Sequence, residues 1–286
     1  MKILVTGATG FVGKHVISEL LKHDHQIIGT TRNVDSHIPS SKLNYSFLDI
    51  DNLSPEENYF SKFNSPDLLI HLAWQGLPNY KSLFHFEKNL FTHYSFLKNI
   101  VVNGLKNLVV TGTCFEYGMK EGALSEDMVT DPQNPYALAK DTLRKFLFEL
   151  KKKNEFDCKW IRLFYMYGEG QNPNSLLSQL QAALKNGEKE FNMSGGEQER
   201  DYLPVERVAA YIVAIALQSK ISGIINCCDG GSLKVKQLVT NYLKDNNREI
   251  KLNFGYYPYT DYEPMSFWGD DTKLKKIINE RSDTGI

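Results

Sequence analysis

Lys2-Ile3-Leu4-Val5-Thr6-Gly7-Ala8-Thr9-Gly10-Phe11-Val12-Gly13 is the stretch that sets the fold class of this chain. Residues 2–6 form an aliphatic run of strand length, and the residues after Gly10 place Val16, Ile17, Leu20 and Leu21 at helical spacing. Between them, three glycines let the backbone turn sharply, approach a pyrophosphate closely and pack the helix onto the strand. The helix N-terminus then offers free N–H groups to an anion. A strand, a glycine turn and a helix in this order predict a dinucleotide-binding turn, with Gly7, Thr9, Gly10, Phe11, Val12 and Gly13 against the cofactor. The spacing G-x-x-G-x-x-G is one residue longer than the dehydrogenase fingerprint.

The same alternation continues downstream. Residues 26–31, 45–48, 67–72, 107–113 and 157–163 read as further strands, and helical patterns cover 11–23, 82–103 and 136–153. This rhythm predicts an α/β fold, a Rossmann doubly wound parallel sheet covered on both faces. After Gly168 the pattern breaks at Gly170, Asn172, Pro173, Asn174, Gly187, Gly195 and Gly196. The expected division is a dinucleotide-binding domain over 1–167 and a smaller, mainly substrate-binding lobe over 168–286. Residues 205–228, a helix and a buried strand, return to the first domain.

A chain of 286 residues is long enough for one sizeable core. Its 33 basic and 34 acidic side chains leave no basic excess, which argues against a nucleic-acid or membrane-surface partner. No apolar run reaches the ~18 residues of a membrane span and no secretory signal is visible, so the cytoplasm is the expected location. The cysteines, Cys114, Cys158, Cys227 and Cys228, suit neither a disulfide framework nor a zinc site, and no bound metal is expected.

Two segments bear on the cofactor's adenosine half. Thr30-Thr31-Arg32-Asn33 ends the second strand without the acid that would bind an NAD ribose, and Arg32 suits a 2′-phosphate, so NADP is favoured over NAD. Asp49 and Ile50 follow the third strand, where a carboxylate accepts from an adenine amino group or simply faces solvent. For catalysis, Tyr136 and Lys140 stand at i and i+4 on one helix face, where an ammonium stabilises phenolate and makes the tyrosine a usable proton donor or acceptor. Tyr94 and Lys98 repeat the spacing, but only Tyr136 begins its helix just after the strand exit that carries Thr113. Ligands of an open parallel sheet sit at the carboxyl ends of its strands, so Thr113 and Tyr136 are placed to share a substrate oxygen.

These segments, with His71-Leu72-Ala73-Trp74, Thr113 to Gly118, Tyr136 to Lys140 and Arg200-Asp201-Tyr202, resemble the extended short-chain dehydrogenase/reductase family, the NAD-dependent epimerase/dehydratase group. The resemblance runs through nearly the whole chain. It implies a catalytic triad of Thr113, Tyr136 and Lys140, with Lys140 also gripping the nicotinamide ribose. It implies that Leu72, Ala73, Trp74 and Asn89 line the cofactor, and that Trp74, Tyr80, Thr113, Cys114, Tyr165, Asn174 and Arg200 face the substrate, Arg200 on its diphosphate. A homodimer built through helices 82–103 and 136–153 is the family's common assembly.

Family members differ in the acid–base groups added to the hydride step. Dehydratases carry an Asp-Glu pair directly after the triad's Ser or Thr; this chain has Cys114-Phe115 there, which disfavours dehydration. The segments around Trp74, Tyr165 and Arg200 resemble reductases of nucleotide-activated 4-keto-6-deoxyhexoses, dTDP- or CDP-linked. The expected function is NADPH-dependent reduction of such a sugar, with a nucleotide-sugar 4-epimerase holding NAD as the alternative. Many relatives have asparagine where Tyr165 stands, so substrate contacts there are expected to differ.

Overall fold

The computed structural model describes residues 1–35 and 39–284. The chain begins with β1 (Lys2–Thr6), α1 (Phe11–Leu20), β2 (Gln26–Thr31) and β3 (Leu43–Phe47). It continues through a single helical turn, α2 (Tyr59–Lys62), then β4 (Leu68–His71), α3 (Leu90–Val102) and β5 (Asn107–Thr113). After a short strand, β6 (Gly122–Leu124), come the long helix α4 (Pro135–Lys151) and β7 (Asp157–Leu163). The later part holds β8 (Tyr165–Tyr167), α5 (Leu176–Lys185), β9 (Glu190–Asn192), β10 (Glu199–Arg200), β11 (Tyr202–Pro204) and α6 (Val205–Leu217). It ends with β12 (Gly223–Cys227), β13 (Leu233–Lys234), α7 (Val235–Asp245), β14 (Lys251–Asn253), β15 (Phe267–Gly269) and α8 (Thr272–Thr284).

Seven strands form one parallel sheet in the order β12-β7-β5-β4-β1-β2-β3, the doubly wound Rossmann arrangement. Strand residues alternate between two buried faces. Ile3, Val5, Leu68 and Ile70 pack with α1, α6 and α8 on one side; Leu4, Leu69, Leu108 and Val110 pack with α3 and α4 on the other. Burial on both faces explains why these strands read as continuous apolar runs. A separate core joins α5 and α7 through Leu177, Leu180, Val235, Leu238 and Val239. None of the described helices is long and apolar enough to cross a membrane.

The elements depart from the sequence reading at their edges. α1 stops at Leu20 instead of residue 23, because Lys22 and His23 donate to the carbonyls of Glu19 and Leu20 in tightened i+3 turns. The third strand lies at 43–47, two residues earlier than its predicted start, where it pairs with β2. The continuous helix predicted over 82–103 instead opens with a π-helical turn, His85–Asn89, before α3. That wider winding brings both His85 and Asn89 to the buried face. Helix α4 begins as the sequence indicates, with Pro135 in its first turn and the Asn134 side chain accepting from the Ala137 N–H at 2.9 Å.

Candidate active site

The order of the sheet reverses between β1 and β4, so the loops leaving these two strands bound a crevice. Gly7 adopts φ +71°, and a Cβ there meets the Ala73 nitrogen at 2.8 Å; one on Gly13 lies 2.0 Å from the Gly7 carbonyl oxygen. Both close approaches are backbone against backbone, so only glycine fits. Gly10 caps α1 with no side-chain hydrogen bond, and the first turn carries no acid. Free N–H groups without a competing carboxylate fit a dinucleotide's pyrophosphate. Thr9, Phe11 and Val12 are half-buried beside them.

Arg32 is exposed just past β2. Asp49 is occupied locally: it accepts from the Asp51 N–H at 3.1 Å and from the Asn52 amide at 2.6 Å, while Ile50 packs into the core. Leu72, Ala73 and Trp74 leave β4 half-buried alongside the glycine turn. Asn89 donates to the Gln75 carbonyl at 3.0 Å, and its buried Oδ1 has no partner among the described residues. An acceptor left open at this depth fits a ligand with a hydroxyl or amide to donate.

Thr113, Tyr136 and Lys140 converge at the carboxyl ends of β4 and β5, all buried. The Trp74 ring joins the last two: the Lys140 ammonium lies 4.4 Å from its centroid, and the Tyr136 ring meets it edge-on at 6.1 Å. Burial drives the Tyr136 phenol well above its ordinary value, with Tyr80 and Glu116 adding to this and a hydrogen bond with Thr113 opposing it. Burial also lowers Lys140 from 10.5 to about 7, against the pull of Glu116. The sequence reading has the ammonium lowering the phenol; in the folded protein desolvation is the larger effect on both groups. The phenol is therefore held protonated, the state of a proton donor.

Behind the triad stands Glu116, which the sequence reading missed. It is fully buried and accepts from the Thr113 N–H at 2.9 Å, the Trp160 indole at 2.9 Å and Arg162 Nε at 2.8 Å. The signal was present as a capping box, Thr113-x-x-Glu116. Also missed are three histidines and Glu263. Thr6 Oγ1 lies 2.7 Å from His71 Nδ1, His71 Nε2 lies 2.8 Å from His93 Nδ1, and His93 Nε2 lies 2.7 Å from Gln75 Oε1. His85 accepts from the Trp74 indole at 3.1 Å.

Aromatic rings cluster around Tyr136. Tyr80 lies 5.5 Å from the Tyr136 ring, 5.3 Å from Phe115 and 6.3 Å from Tyr262, and Phe115 is 6.1 Å from Tyr165. The Lys81–Asp261 ion pair, at 2.9 Å, ties the segments bearing Tyr80 and Tyr262 together. Cys114 is buried, and its thiol is pushed up by desolvation. Arg200, expected at a diphosphate, is paired inside the protein: Nη2 and Nε reach Glu263 Oε2 at 2.9 and 3.2 Å, and Nη1 reaches the carbonyls of Glu199 and Met265. Tyr165 donates to the same Glu263 oxygen at 2.5 Å. Asn174 is exposed at the approach to α5, with local contacts to Asn172 and Gln179.

The model of the NAD dependent epimerase/dehydratase family matches residues 3–228. The dTDP-6-deoxy-L-talose 4-dehydrogenase (NAD(+)) of Aggregatibacter actinomycetemcomitans is 32% identical over 273 residues, covering 94% of this chain and 99% of the relative. GDP-6-deoxy-D-talose 4-dehydrogenase of the same organism is 26% identical over 291 residues, covering 97% and 91%. Among solved structures, UDP-glucuronic acid 4-epimerase from Bacillus cereus, with UDP-glucuronic acid and NAD, shares the fold at a TM-score of 0.83 and 23% identity, over 98% of this chain and 93% of that one. A family match across most of its length, joined to a relative aligned nearly end to end, makes this chain a member of the NAD-dependent epimerase/dehydratase family, an oxidoreductase-type enzyme of the extended short-chain dehydrogenase/reductase group.

Proposed function

We propose that the protein reduces the 4-keto group of a nucleotide-linked 6-deoxyhexose, dTDP- or CDP-activated, with a nicotinamide cofactor. The observation that carries this reading is a phenol kept protonated by burial, beside Thr113 and Lys140, next to a cluster of the Tyr80, Phe115, Tyr165 and Tyr262 rings. The ring faces of that cluster favour a sugar methyl, which can lie on them as apolar surface.

The glycine turn would hold the phosphates of a nicotinamide cofactor, and Asn89 and Lys140 its nicotinamide half; in its reduced form that cofactor would supply the hydride for the C4 carbonyl carbon. Tyr136 gives its phenolic proton to the carbonyl oxygen, which the Thr113 hydroxyl holds by a hydrogen bond. Lys140, when charged, stabilises the phenolate left behind, and Glu116 opposes part of the burial that lowers it to about 7. The names of the two Aggregatibacter relatives support this reading, since a 6-deoxytalose 4-dehydrogenase carries out the same hydride step in the opposite direction.

Arg32, exposed past a strand end that lacks an acid, supports NADPH; the NAD(+) in the name of the 32%-identical relative supports NADH. Phe91 on α3 and Leu138 on α4 are 56% and 45% exposed, which supports a homodimer paired through these helices. The test is loss of absorbance from NADPH and from NADH in the presence of dTDP- and CDP-linked 4-keto-6-deoxyglucose. Steady, stoichiometric loss of reduced cofactor is expected with one of them. Interconversion of two nucleotide sugars without cofactor loss would establish a 4-epimerase instead.

A further inference from the structure

Lys140 has an uncommon setting for a buried ammonium. What faces it is ring surface, Trp74 at 4.4 Å from the centroid and Trp160 at 5.4 Å. Glu116 acts from behind, through the Trp160 indole that donates to it. A cation over an indole face gains from the ring quadrupole, and the gain is largest where water is excluded.

The Trp74 indole is itself fixed from two sides. The His93 ring stacks on it at 4.6 Å and 26°, and Trp74 Nε1 donates to His85 Nδ1 at 3.1 Å. His85 accepts on Nδ1, so its proton sits on Nε2, which donates to the Asn79 carbonyl at 2.9 Å. The stacking ring is locked by the buried chain that starts at the tip of β1. Gln75 Oε1 can only accept, so His93 Nε2 carries a proton and His93 Nδ1 accepts. His71 Nε2 is then the donor to His93, and His71 Nδ1 accepts from the Thr6 hydroxyl. Every position has one donor and one acceptor, and both histidines stay uncharged; burial lowers His71 to about 3 and His93 well below its ordinary value. The chain ends on the residue next to Trp74, whose carbonyl also receives the Asn89 amide.

We propose that Trp74 is the positioning residue for Lys140: its indole face, locked by the neutral Thr6–His71–His93–Gln75 chain and by His85, adds to the pull of Glu116 in holding the ammonium charged and aimed. This rests on the reading of Lys140 as the group that supports Tyr136. It gives the three histidines a joint task that involves no proton transfer to substrate.

The test follows the Lys140 side chain directly, by NMR of protein grown on carbon-13-labelled lysine, with Lys140→Met assigning the resonance. In Trp74→Leu the Lys140 midpoint is expected about one pH unit lower, a tenfold smaller charged share at a given pH. Trp74→Phe, with a weaker quadrupole, shifts it part of the way, and His93→Leu, which removes the stacking ring, shifts it in the same direction. An unchanged midpoint in a folded Trp74→Leu protein overturns the proposal. Should that variant fail to fold, an unchanged midpoint in Trp74→Phe overturns it equally. The readout needs no sugar: a midpoint that moves in a protein unable to reduce any 4-keto sugar keeps this proposal and removes the reductase reading, and a fixed midpoint in a working reductase does the reverse.

Discussion

Desolvation decides the proton state of each member of the Tyr136–Lys140 pair. A lysine that titrates near 7 in the fold and at 10.5 when exposed binds its proton more tightly in the unfolded chain. Its contribution to stability therefore rises with pH between about 7 and 10.5, and below 7 the folded protein carries the full cost, on the order of 5 kcal/mol. Lys140→Met is expected to melt higher than the parent protein at neutral pH while losing activity. The gap should be widest below pH 7 and close toward about 10.5, measured by thermal melts across pH. At this scale the sequence was readable where a residue type and its place on a helix or strand coincide: Thr113, Tyr136 and Lys140. His71, His85 and His93 were not readable, because their link is made where the tip of β4 and its exit loop meet the helix that begins at the π-turn, and no spacing encodes it.

Among the elements, the glycine turn gives the sharpest contrast. A methyl on Gly13 falls 2.0 Å from a backbone oxygen, with nothing flexible to yield, so Gly13→Ala is expected to lose the folded state or several degrees of melting temperature. A methyl on Gly10 meets only the Gly7 oxygen, at 3.2 Å, on an exposed position. Gly10→Ala should melt within about 2 °C of the parent. Its affinity for reduced cofactor, followed by fluorescence titration, should fall about tenfold, since the methyl projects where the phosphates approach the helix N-terminus. Equal loss of stability in both variants would contradict this division of labour. The helices and long strands were legible from apolar period and from caps such as Asn134-Pro135. The π-turn at His85–Asn89 was not, because a single widened turn leaves the surrounding helical period intact.

For the whole molecule, one side chain ties together three segments of the later part of the chain. Asp201, between β10 and β11, is fully buried and accepts from the N–H groups of Asp229, Gly230 and Gly269 at 2.7, 3.0 and 3.3 Å. Asp201→Ala removes the shared acceptor of three N–H groups, that of Gly269 buried and the other two part-buried, and is expected to cost about 1–3 kcal/mol, read as a lower denaturation midpoint, whereas Asp201→Asn should retain part of that stability. The parallel sheet was visible in sequence because its strands are long and buried on both faces. The pairings β8–β11, β9–β14, β10–β13 and β6–β15 span two or three residues each, too few to show a period, and Glu263 reaches Arg200 and Tyr165 through one of the long connections between them. In the proposed reaction Tyr136 is the proton donor to a 4-keto sugar. Its most direct test is the rate of reduced-cofactor consumption by Tyr136→Phe, with cofactor affinity measured on the same sample. Turnover should fall about 10²-fold or more with affinity within about twofold of the parent; turnover close to the parent's would contradict it.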